Sequence, residues 1–241
     1  MFESFPPMKT RHLRGFTLVE ILVAIAVIGI LAALLYPSLK KSREQANEAL
    51  CANRLANIGK AVILYTNDHE MTLPGPPVSQ SFAGWFDNSA NPQKGGLISS
   101  FLAPYLGSNL PDPPPYKPGY SKEFICPTWE GYFGAKKVAD VSSFGTLNCY
   151  VVNRRIIVDG VPVGNSSPWG VLPGSPASWG SQTPMKLISV WQPSKNWMIT
   201  ELDQQGNFGS STPLATPIHK TFRNAVFFDA HVERVPVNPS P

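Results

Sequence analysis

From Phe16 to Tyr36 the chain reads FTLVEILVAIAVIGILAALLY, 21 residues in which Thr17 and Glu20 are the polar positions. A helix of that length spans ~30 Å, the thickness of a bilayer's hydrocarbon core. A helix apolar on every face has no place in the core of an ordinary small soluble domain. A cleavable secretory signal would carry a shorter apolar run and a small-residue cleavage site; here Lys40, Lys41 and Arg43 follow the run directly. The segment reads as a retained membrane helix. Beyond Pro37 the pattern becomes amphipathic: Cys51, Leu55, Ile58, Val62 and Tyr65 recur at helical spacing, one apolar face on a polar helix. That helix is predicted to end near Asn67-Asp68, ahead of Thr72-Leu73-Pro74-Gly75.

Downstream the pattern changes again. Pro74-Gly75-Pro76-Pro77, Gly95-Gly96 and Pro111-Asp112-Pro113-Pro114-Pro115 punctuate long loops, with a short helix around 97–106. Strands are predicted over 150–157 and 161–163 around Asp159-Gly160, over 194–202, and over 224–228 and 232–235 around a turn at Asp229-Ala230-His231. A long helix followed by antiparallel strands is an α+β arrangement. The divisions are residues 1–15, an apolar helix over 16–36, its amphipathic continuation over 37–70, and a loop-rich β domain over 71–241.

Composition sharpens this. The mean hydropathy of −0.07 averages one membrane-grade helix with a polar head. The 25 prolines and 19 glycines stay below the share that marks a disordered chain. A net charge of +4 is too small and scattered to indicate nucleic acid as a partner. Lys9, Arg11 and Arg14 precede the apolar run and Lys40, Lys41 and Arg43 follow it, so the positive-inside rule assigns no orientation.

Glu20 is the oddity, because an ionisable residue in an apolar segment costs a few kcal/mol on insertion scales and by default signals function. With its neighbours, Arg14-Gly15-Phe16-Thr17-Leu18-Val19-Glu20, it resembles the processing site of type IV prepilins and type II secretion pseudopilins. The resemblance implies cleavage between Gly15 and Phe16 by a prepilin peptidase, methylation of the new Phe16 amine, and removal of 1–15 as a leader. It also implies a pilin-like fold, with the long helix packed on a small antiparallel sheet domain and kinked near Pro37. Physically, the Glu20 carboxylate of one subunit would neutralise the Phe16 amine of a neighbour in an apolar helix bundle, where either charge alone is expensive. Asn67 to Pro74, the Cys126-Pro127 pair, Tyr150 to Asn153, and His219 followed after nine residues by Asp229-Ala230-His231-Val232 resemble segments of a pseudopilin-like bacterial group. The departure is Ala230, where that group has glycine: the turn is of a different type or it strains the alanine.

Among side chains with chemistry to offer, His219, Asp229 and His231 form a weak metal or catalytic candidate, short of the converging ligands zinc requires; hydrogen bonding in the final hairpin is the commoner role. Calcium is implied by the resemblance alone, since no D-x-D-x-D loop is present. Cys51, Cys126 and Cys149 include no CxxC pair. Three pairings are open besides none; Cys51 with Cys126, which would tie the helix to the sheet domain, ranks first. Six tryptophans would fill a core or line a glycan surface. The expectation is a structural subunit of a pilus or pseudopilus and not an enzyme: single-pass in the inner membrane, head in the periplasm, then part of a fibre. Its partners would be other pilin-like subunits, the peptidase and the inner-membrane assembly machinery. The rivals are a membrane-anchored binding module, for instance for glycans, and a tethered hydrolase using His219 and Asp229.

Overall fold

The computed structural model describes residues 17–77, 81–82, 85–86, 97–107, 119–120, 122–134, 148–159, 161–162, 167–172, 174–175, 181–204 and 214–237. The chain divides into two compact units, Met1–Gln45 and Ala46–Pro241. Helix α1 (Leu18–Asp68) begins in the first and ends in the second, with Pro37 inside it. In the first unit the apolar side chains are exposed, from Leu18 to Leu35. The stretch is long and apolar enough to cross a membrane, and none of it is buried within the chain.

In the second unit the stripe read from the sequence faces inward. Cys51, Leu55, Ile58 and Val62 are buried, and Tyr65 packs partly covered against the same core. They meet a five-stranded antiparallel sheet ordered β1-β4-β7-β8-β9, made of β1 (Ser81–Phe82), β4 (Tyr150–Val152), β7 (Trp197–Glu201), β8 (Phe222–Phe227) and β9 (Val232–Pro236). Among the described residues two smaller ladders are separate from it, β2 (Trp85–Phe86) with β3 (Gly119–Tyr120), and β5 (Ile157–Val158) with β6 (Val161–Pro162). The architecture is α+β and pilin-like, a long N-terminal helix followed by a small antiparallel sheet domain. Among the described residues two short α-helices also occur, α2 (Ile98–Leu102) and α3 (Pro127–Phe133). Trp129 and Trp169 are both in the core. Trp191 is exposed, and the side chains of Trp85 and Trp179 lie outside the described residues.

Two local departures from the pattern have physical causes. The strand expected over 150–157 stops at Val152. There Asn153 turns its side-chain oxygen onto the Arg155 N–H at 3.0 Å, an Asx turn that diverts the backbone. The diverted chain is caught by Asn196, whose amide exchanges two bonds with Ile157, from Ile157 N–H to Oδ1 at 2.7 Å and from Nδ2 to Ile157 O at 3.0 Å. The turn between β8 and β9 closes with the Ala230 N–H donating to Phe227 O at 2.8 Å. Within it Ala230 alone has positive φ, 67°. A type I′ turn requires two such residues, so the turn is of another type and the alanine also bears left-handed strain.

Candidate functional site

Two places carry chemistry. Gly15 and Phe16 lie outside the described residues; Thr17 and Glu20 do not. The Thr17 N–H donates to Glu20 Oε2 at 2.7 Å and the Thr17 hydroxyl donates to the same oxygen at 2.9 Å. In return Glu20 N–H donates to Thr17 Oγ1 at 3.3 Å. This is a capping box: threonine at the N-cap and glutamate at the third helical position satisfy each other's backbone donors. The S/T-x-x-E spacing was present in the sequence, so the signal for it was there beside the one for assembly. Both Thr17 bonds fall on one carboxylate oxygen, and among the described residues Oε1 accepts none. The carboxylate therefore starts the helix and still presents a face to a second donor.

The second place is inside the head. Cys51 of α1 and Cys126, the residue preceding α3, are joined in a disulfide. Cys126 has extended backbone and Pro127 opens the helix, a position where proline's missing N–H is harmless. Arg54, one turn beyond Cys51, donates from Nη1 to Ile125 O at 2.6 Å. Against the disulfide lies His219, with Nε2 3.8 Å from Cys126 Sγ and 3.0 Å from Glu201 Oε1. The pair is buried, 1% and 3% exposed by side chain. Glu201, at the end of β7, is held further by Asn224 of β8, whose backbone N–H reaches Oε2 at 2.8 Å and whose Nδ2 reaches Oε1 at 3.0 Å. The His219 ring stacks on Phe222, centroids 5.0 Å apart, and its buried Nδ1 has no hydrogen-bond partner among the described residues. Next to this network Arg223 forms a two-point ion pair with the buried Asp203.

The sequence candidates His219, Asp229 and His231 are not one site. Asp229 and His231 bond each other at 2.5 Å in the partly exposed β8–β9 turn, whereas His219 is in the core with Glu201. Without convergence of His219 and Asp229, the tethered-hydrolase reading loses its geometry. Among the described residues, the converging group is Cys51, Cys126, Glu201 and His219. Glu201 escaped the sequence reading because a lone glutamate ending an apolar strand looks like a strand terminus, and its partner Asn224 lies on a different strand. Cys149, the remaining cysteine, is buried and donates to Phe124 O at 3.2 Å. Burial pushes its thiol well above the ordinary range, so it is held as an inert thiol.

Comparison with known proteins bears on the first place. Residues 10–36 match the prokaryotic N-terminal methylation motif. Over 59 residues the chain is 41% identical to the type IV wide pilus major component PilA4 of Thermus thermophilus, covering 24% of this chain and 45% of that protein. It is 34% identical over 62 residues to the type II secretion system core protein G of Aeromonas hydrophila, covering 26% and 43%. With core protein G of Escherichia coli it shares 38% over 56 residues, covering 23% and 39%. The chain thus spans less than half the length of these curated relatives. No solved structure matches it. The N-terminal segment is of the prepilin type, similar to those of type IV pilins and type II secretion pseudopilins.

Proposed function

We propose that this protein is a structural subunit of a pilus or pseudopilus. The observation that carries the proposal is the match of residues 10–36 to the methylation motif on a helix whose apolar side chains are left exposed. In this reading a prepilin peptidase removes 1–15, cutting between Gly15 and Phe16 and methylating the Phe16 amine. The chain then waits in the inner membrane with its head in the periplasm, and the assembly machinery lifts it into a fibre of pilin-like subunits. Glu20 keeps its capping bonds on Oε2 and gives its other face to the Phe16 amine of a neighbour. That pairing removes two isolated charges from an apolar bundle and sets the stagger between subunits.

The test is the N-terminus of the chain extracted from membranes of cells that hold an active prepilin peptidase. Mass spectrometry is expected to find a chain that starts at Phe16 and carries one added methyl group. An intact leader in those cells would overturn the reading.

A further inference from the structure

The buried disulfide has neighbours that a disulfide does not need. It is an uncharged link, satisfied by apolar packing, yet a carboxylate and an imidazole are placed in the core against it. Burying such groups is unfavourable unless they gain partners. One ligand atom from each of Cys51, Cys126, Glu201 and His219 lies within 4.8 Å of all the others, and all four residues are buried. Two of the spacings around His219 are those of a coordination shell. Tetrahedral zinc at ordinary bond lengths sets nitrogen and oxygen ligands about 3.3 Å apart and nitrogen and sulfur about 3.6 Å apart. Here His219 Nε2 is 3.0 Å from Glu201 Oε1 and 3.8 Å from Cys126 Sγ. The support around the ligands is also in place, since Asn224 orients the Glu201 carboxylate through both its backbone N–H and its side-chain amide.

We propose that the same four residues form a zinc site in the thiol form of the head, which the Cys51–Cys126 disulfide replaces on oxidation. The chain is synthesised with both cysteines as thiols. Zinc binding displaces one proton from each thiol to solvent, and the ion takes the place of the hydrogen between His219 Nε2 and Glu201 Oε1, the neutral imidazole then carrying its one N–H on Nδ1. Two thiolates and one carboxylate against a divalent ion leave one net negative charge, and the guanidinium of Arg54, three residues beyond Cys51, is held on the carbonyl of Ile125, the neighbour of Cys126. Oxidation by thiol–disulfide exchange with an external disulfide forms the Cys51–Cys126 bond. Two electrons pass to the external disulfide, which takes up two protons and leaves as two thiols, and the zinc is released. Both forms tie α1 to the segment before α3, so the head is cross-linked before and after oxidation.

The experiment uses the full chain in detergent, reduced with a phosphine, stripped of metal, and offered zinc alone. Gel filtration with metal analysis is expected to find one zinc per chain in the reduced protein and none in the oxidised one. Zinc-edge X-ray absorption is expected to show two sulfur and two nitrogen or oxygen ligands, with imidazole scattering. His219→Ala should lose that scattering and weaken binding by roughly tenfold or more, while the double substitution Asp229→Ala/His231→Ala in the exposed turn should leave uptake unchanged. Absence of stoichiometric zinc from the reduced chain, a shell without sulfur, or His219→Ala binding as tightly as the parent would overturn the proposal. Should His219→Ala not fold, the ligand count of the unsubstituted chain decides alone.

Discussion

Gly59 of α1 faces the β8–β9 hairpin at close range. A Cβ there would sit 2.6 Å from Val226 Cγ2 and 3.6 Å from the Ala230 Cβ. Val226 is buried and β-branched, so its methyl has little freedom to withdraw. Replacing a mid-helix glycine with alanine ordinarily stabilises by about 0.5–1 kcal/mol, but overpacking a filled core costs about 1–3 kcal/mol. The second effect wins at this position: Gly59→Ala is expected to lower stability by about 1–2 kcal/mol, read as a lower urea midpoint at unchanged slope. Gly131 in α3 has nothing within 4 Å of its would-be Cβ, so Gly131→Ala should be neutral or stabilising, and equal losses at both positions would refute the contact argument. The sequence placed Gly59 on the correct helix, next to buried Ile58, but could not show its role, because the atom it makes room for is 167 positions away on another element. Ala230 was legible as a departure from glycine for the opposite reason, since a turn's demand on φ is local.

At the scale of elements, legibility followed the length of the pattern. The α1 stripe repeats over four turns and came through at Cys51, Leu55, Ile58 and Val62, as did the helix end at Asp68. Strands β7, β8 and β9 lie where alternating and apolar runs put them, within a few residues. What failed was the continuous strand over 150–157, because the local Asn153 turn is held in place by a clasp between Ile157 and Asn196, 39 residues apart in sequence. The disulfide belongs to this scale, for it fixes α1 to the segment that opens α3 across a sequence separation of 75. A loop of that size removes enough freedom from the unfolded chain to be worth up to about 4–5 kcal/mol in the chain-entropy account, and losses of about 2–5 kcal/mol are usual. With zinc chelated, reduction by a phosphine is expected to lower stability by about 2–4 kcal/mol, and Cys51→Ser/Cys126→Ser by a similar amount. Denaturant titration of the two forms checks this, and coincident midpoints would show the link to be idle.

For the whole molecule the question is which residues each unit needs. Every member of the buried core, from Cys51 to Phe228, comes from the second unit, Ala46–Pro241. The apolar residues Leu18 to Leu35 contribute nothing to it and stay exposed. Covering one such side chain is worth about 1.5–3 kcal/mol, so a run of them needs a bilayer or the helices of other subunits, and no part of that gain is available to an isolated head in water. It follows that folding of the head and insertion or assembly of the helix draw on separate sets of residues. A chain cut to begin at Ala46 should be soluble without detergent and monomeric. It should unfold in one cooperative transition, because the stripe, the sheet and the Cys51–Cys126 link all remain. Its stability in denaturant is expected to fall within about 0.5 kcal/mol of the full chain's head, the usual spread for changes made outside a core. Circular dichroism and gel filtration of the truncated chain provide the check. A molten or aggregating product would mean that residues before Ala46 complete the head, and would remove the division of labour on which the filament reading depends.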